Sequence, residues 1–212
     1  SVSWGSEMCI RDSHTPVRRG CGPKTKTRIF KASQQKSVRV EDRLFRVWSD
    51  VHLEQDLGDM MQLFPEEFGK PGAALLNTRL ELRKAIENGL LVHTVDSPKS
   101  RLPLEKIWEK YGQYFFVVSL PGHGLDCHRT WEALAMGATV ITVHSPLDRL
   151  LEKYRVVFLD RQPGDVEWWR PMASAEWLNS AAHSVHARAP LDLDWNAWIE
   201  PIKKLLNISP NN

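Results

Sequence analysis

The sequence predicts an α/β fold, a parallel sheet flanked by helices. Three observations point there. Short runs of β-branched and aromatic residues recur along the chain. Stretches with the 3.6-residue apolar period of a helix separate them. The run 114–120 is apolar at every position except Ser119, the pattern of a strand covered on both faces. Strands alternating with helices of this length form βαβ units.

In chain order, residues 43–53 read as a first strand and 54–72, with Gly58, Pro65, Gly69, Pro71 and Gly72, as a loop with one short helical turn. Residues 73–88 form a helix stopped at Asn88 and Gly89. Arg79 and Arg83 on it are within reach of a phosphate, but a solvated face is the plainer place for them. Residues 90–95 read as a short buried strand. A helix over 103–111 has Pro103 at its start and Gly112 to close it. The strand 114–120 leads through a loop into a helix over 127–136, stopped by Gly137. A strand over 139–144, a short helix from Ser145 to about Lys153 and a strand over 155–159 follow. Residues 174–187 and 193–206 read as two terminal helices, with Trp168 and Trp169 as an apolar clamp between them and the sheet.

Composition bounds the function. The 212 residues hold nine Trp, seven Phe and three Tyr, enough apolar area for a core, which excludes disorder throughout. Three Cys exclude a disulfide scaffold. No apolar run approaches the ~20 residues of a membrane span, so no transmembrane segment is expected in this chain. The net charge of +2 divides unevenly. Residues 1–40 carry nine Lys/Arg and two acids; residues 41–212 carry 19 and 24. The remainder lacks a basic stripe, so the basic start is read as a solvated lead-in and no nucleic-acid partner is expected.

The opening Gly5-Ser6-Glu7-Met8-Cys9-Ile10-Arg11-Asp12-Ser13 resembles the translation of a transposase sequencing adapter. Residues 1–13 are therefore set aside as a scar, and 14–42 as an irregular basic lead-in. The domain plan is an α/β domain over 43–165, with 166–212 packing back on it as helices.

Chemistry concentrates between strand 114–120 and the helix after it. Ligands of doubly wound sheets bind outside the carboxyl ends of strands. Gly122 and Gly124 allow close backbone approach. The next helix start offers free N–H groups and a positive dipole end, a favourable place for a phosphate. His128 and Arg129 fall in its first turn, and Arg129 can pair with a diphosphate bidentately. Glu132 lies three residues after Arg129 and four after His128, on the same helix side. A carboxylate there can accept two ribose hydroxyls. The plain alternative for Arg129 and Glu132 is a local surface ion pair. His123 and His128 divide between ligand contact and loop or cap bonding. His123, Cys127, His128 and His144 lack zinc spacing, so no metal is predicted. Cys127 reads as a buried thiol and Trp131 as packing.

The segment Gly122-His123-Gly124-Leu125-Asp126-Cys127-His128-Arg129-Thr130-Trp131-Glu132-Ala133-Leu134 with Gly137 resembles the nucleotide-sugar half of GT-B glycosyltransferases, the exostosin-like family above all. The family run is similar to Ser-Pro-Arg-Gly-Asn-Gly-Leu-Asp-Cys-His-Arg-Thr-Trp-Glu-Ala-Leu. The likeness is dense over roughly 30 residues and looser over about 73–165. Pro121 stands where the pattern has Arg, and Val140 where it has Pro.

The resemblance implies a Rossmann-like domain, one half of a GT-B fold, that transfers sugar from a nucleotide-sugar to a glycan or glycoprotein acceptor. Gly122, His123 and Gly124 would approach the donor diphosphate, Arg129 would neutralise it, and Glu132 would hold the ribose. It implies no cofactor beyond the donor substrate. It also implies that an N-terminal acceptor domain lies outside this chain, so that these residues alone bind nucleotide weakly and transfer little sugar. The location follows the kinship: the Golgi lumen for a eukaryotic member, the cytoplasm for a bacterial one. Two other classes stay open, a non-catalytic Rossmann-like module that binds a nucleotide or a protein, and a different α/β enzyme, such as a phosphate-ester or nucleotide-dependent transferase.

Overall fold

The computed structural model describes residues 32–33, 38–51, 77–121, 127–162, 164–188 and 191. Several expectations lie outside them: the scar at 1–13, most of the basic lead-in, the loop 54–72, the start of the helix from 73, the loop residues 122–126 and the last helix over 193–206.

Five parallel strands form one sheet in the order β2-β1-β3-β4-β5. They are β1 (Leu44–Trp48), β2 (Val95–Asp96), β3 (Tyr114–Val118), β4 (Thr139–Val143) and β5 (Val156–Leu159). The fold is α/β and Rossmann-like. Buried side chains of the strands divide between the two faces of the sheet, as a period of two requires. Val47, Phe116, Val118, Ile141 and Leu159 enter one apolar layer. Trp48, Val117, Val140 and Val156 enter the other. Every residue of β4 is buried, as befits an inner parallel strand.

Each layer is closed by helices whose apolar residues recur every three or four positions. On the first face lie α1 (Thr78–Glu87), through Leu82 and Ala85, and α5 (Ala175–Val185), through Leu178 and Ala181. Helix α4 (Asp148–Leu151) is a single turn. On the second face lie α2 (Leu104–Gln113), through Ile107, Trp108 and Tyr111, and α3 (His128–Ala135), through Ala133 and Leu134. Trp168 and Trp169 are buried in the first layer with Met172 and Leu178, the clamp expected of them. Trp131 packs edge-on against Tyr154 at 5.8 Å.

Four expectations need correction. The run 90–95 is not a buried strand: only Val95 and Asp96 pair with β1. The Leu91 carbonyl accepts from both Thr94 N (3.1 Å) and Val95 N (2.8 Å), which curls the backbone into turns. Leu91 is buried before the pairing residues, while Leu90 and Val92 are exposed. Gly89, with φ of 72°, closes α1 through the left-handed region, as expected of a glycine past a helix end. Gly112 does not close α2; it is buried in the last turn, and the helix runs to Gln113 and directly into β3. The helix expected from Ser145 to Lys153 is cut to α4, because Ser145 N and Leu147 N bond to Asp148 Oδ1 and Ser145 Oγ in a turn. Arg79 is not on a solvated face: it is 4% exposed. Arg83 is the partly exposed one, paired with Glu87 at 2.7 Å.

Among the described residues, no helix is long and apolar enough to cross a membrane.

Candidate functional site

Strand order reverses between β1 and β3: β2 is added on one side of β1, and β4 and β5 extend from β3 on the other. Crevices of doubly wound sheets open at such a reversal, beyond the strands' carboxyl ends. Three chain segments meet there. Ser49 and Asp50 leave β1; Ser119, Leu120 and Pro121 leave β3; and α3 begins at His128.

One hydrogen bond ties the amino end of α3 to β3, and a second ties that end of β3 to β4. Ser119 Oγ lies 2.8 Å from Thr130 Oγ1, both buried, which ties the first helical turn to the end of β3. Ser119 N donates to the Ile141 carbonyl at 3.0 Å, which holds that end against β4. At the far end Gly137, with φ of 79°, closes the helix. The Cys127 side chain, at the N-cap, makes no capping hydrogen bond. It is buried, as a thiol reading predicts, and Arg129 Nη1 approaches its sulfur at 3.9 Å.

A small recess of about 20 Å³ lies at this junction, room for roughly one water. Its lining includes Asp50 from β1's end, Arg101, Tyr111 from α2, and His128, Arg129 and Glu132 from α3. The structure thus brings together three of the six residues expected to bind donor. Gly122, His123 and Gly124 fall outside the described residues.

Asp50 organises this recess. It is 2% exposed and unpredicted by the sequence reading. Its Oδ2 accepts a hydrogen bond from Tyr111 Oη at 3.1 Å and stands 3.5 Å from Arg129 Nε. Its Oδ1 is buried and has no hydrogen-bond partner among the described residues. Burial, reinforced by the Asp50 charge, pushes the Tyr111 phenol well above its ordinary pKa, so Tyr111 stays a donor. The cationic Arg129 and Arg101 and the anionic Asp50 and Glu132 therefore share one small opening. Such a set pairs cations suited to a phosphate with carboxylates suited to hydroxyls, around a recess with room for about one water.

The position of Asp50 carried a faint signal: a polar pair, Ser49 and Asp50, follows directly on an apolar strand, where ligand-facing residues of such sheets lie. His144 belongs elsewhere. It bridges Asp148 (2.6 Å) and Asp160 (3.4 Å) past the ends of β4 and β5. Among the described residues, no group of three His, Cys, Asp or Glu is placed to hold a metal ion.

No protein-family model matches the chain, and no curated protein matches it.

Proposed function

We propose that this domain is the nucleotide-sugar-binding half of a glycosyltransferase, with the donor diphosphate at the amino end of α3. The observation that carries the reading is the joint placement of His128, Arg129 and Glu132 on one recess at the β1/β3 reversal. The motif over 122–134 that resembles exostosin-like enzymes supports it. In the reaction, the bond between the sugar's anomeric carbon and the diphosphate oxygen breaks. A glycan or glycoprotein hydroxyl oxygen forms the new bond, and its proton passes to the released diphosphate or to solvent. Charge builds on the departing diphosphate, and the α3 N–H groups and Arg129 stabilise it there. Glu132 accepts the ribose hydroxyls.

Calorimetric titration with uridine and guanosine diphosphates and their hexose forms tests this. One series binds, and Arg129→Ala and Glu132→Ala, folded by circular dichroism, lose at least tenfold in affinity. Binding to none of the four compounds contradicts the reading. A second reading, a non-catalytic module, is favoured by two features: Arg129 already has an internal anion in Asp50, and Pro121 stands where the exostosin-like pattern has Arg. Nucleotide binding with no sugar transfer, even beside a supplied acceptor domain, supports that alternative.

A further inference from the structure

Among the described residues, Asp50 Oδ1 is the buried carboxylate oxygen without a hydrogen-bond partner. A carboxylate oxygen taken from water without a hydrogen bond is costly, and native structures seldom keep one without a reason. The neighbouring Oδ2 is engaged twice, by Tyr111 Oη at 3.1 Å and Arg129 Nε at 3.5 Å. These contacts hold the carboxylate in place and leave one buried acceptor unused among the described residues. The residue lines the recess shared with Arg101, His128, Arg129 and Glu132, where there is room for a group about the size of one water or hydroxyl.

We infer that Asp50 is a specificity residue: Oδ1 accepts a hydrogen bond from a sugar hydroxyl of the bound donor, while Oδ2 holds Arg129 ready for the diphosphate. The inference rests on the proposed nucleotide-sugar site and adds the group that reads the sugar. Geometry separates the two tasks. Arg129 offers its guanidinium to an anion, whereas Asp50 repels anions and accepts only O–H or N–H. A ligand that satisfies both carries a phosphate with a hydroxyl-bearing group beside it, and a bare nucleoside diphosphate satisfies only the first.

The two tasks move affinity in opposite directions on substitution. Asp50→Asn removes the charge that competes for Arg129, so affinity for uridine or guanosine diphosphate holds or rises. The same change loses the charged acceptor, so affinity for the matching diphosphate-hexose falls. A hydrogen bond to a charged group is worth about tenfold or more. The measurement is the ratio of the two affinities, wild type against Asp50→Asn, by calorimetry on the full chain. The ratio is expected to fall about tenfold. An unchanged ratio, whether both affinities drop together or neither moves, overturns the inference and leaves the proposed site standing. Wild-type protein that binds neither ligand class overturns the site itself, and this inference with it.

A second measurement does not depend on the variant folding. Wild-type protein is titrated with diphosphate-hexoses that each lack one sugar hydroxyl. One position is expected to cost about tenfold, because its loss again orphans a buried carboxylate oxygen. Equal affinity across the series contradicts the role given to Asp50.

Discussion

Arg129 Nε stands 3.5 Å from Asp50 Oδ2, and the two side chains are 18% and 3% exposed. The pair joins the first strand's end to the first turn of α3, across the line where strand order reverses. Removing one partner leaves the other charge buried, which costs more than the pair contributes. Arg129→Ala is therefore expected to lower stability by about 3 kcal/mol. Adding Asp50→Asn to that variant is expected to restore part of the loss. Chemical denaturation of the single and double variants measures the coupling. Additive losses would show that the two groups do not act on each other.

Arg43 plays the opposite part, at the other end of the sheet. Its buried guanidinium donates to the carbonyls of Met136 (2.8 Å), Tyr114 (3.4 Å) and Tyr111 (3.5 Å), and its Nε to Val38 (3.3 Å). It thereby ties β1 to the carboxyl ends of α2 and α3. Burial, and to a smaller degree the Arg155 charge, lowers its pKa to about 10, so it remains charged at neutral pH. Arg43→Met keeps the apolar stem and leaves those carbonyls without a donor. A loss of about 3 kcal/mol is expected in urea unfolding. Arg43→Lys is expected to recover little, since an ammonium lacks the planar fork. Wild-type stability in both variants contradicts the assignment.

A third network locks the C-terminal segment. Glu81 on α1 accepts from Arg161 Nη2 at 2.8 Å and from Trp168 Nε1 at 2.8 Å. Trp168→Phe removes one bond and part of a buried ring, and about 1–2 kcal/mol is the expected cost. Glu81→Ala strands the nearly buried Arg161 and is expected to cost about 3 kcal/mol. Thermal unfolding orders the two variants, and a smaller effect for Glu81→Ala contradicts the network.

Much of this fold is legible in the sequence, and the reasons are local. The apolar run at 114–118 has no helical competitor, so its strand assignment needs nothing from the rest of the chain. Gly137 and Gly89 mark helix ends because only glycine enters the left-handed region cheaply. Local pattern fails where partners are distant in sequence. Leu91 imitates a strand centre, yet the backbone around it bonds to itself. Arg79 has the composition of a surface residue, and tertiary packing buries it. Asp50 meets Tyr111 across 61 residues, a pairing no spacing rule foretells. His128, Arg129 and Glu132 are the converse: one helix carries all three, so their grouping could be read directly from the chain.

Two tyrosines set an alkaline limit. Burial, aided by a hydrogen bond to Asp96 and its charge, pushes Tyr114 up to about 12. Burial and Asp50 raise Tyr111 well above the ordinary value near 10. A folded pKa above the unfolded one means the native state keeps its proton longer. The extra stability is full below pH about 10 and is lost as pH climbs toward 12 and beyond. Denaturant midpoints measured from pH 8 to 11 are expected to fall above about 10, and less steeply in Tyr114→Phe. A flat wild-type profile across that range contradicts the expectation.

The most direct test of the donor site is a crystal structure with uridine or guanosine diphosphate bound. The diphosphate is expected at the amino end of α3, with Arg129 turned from Asp50 onto a phosphate oxygen and Glu132 within hydrogen-bond distance of the ribose. A diphosphate bound elsewhere, or an Arg129 that stays on Asp50 while the ligand is present, contradicts the account.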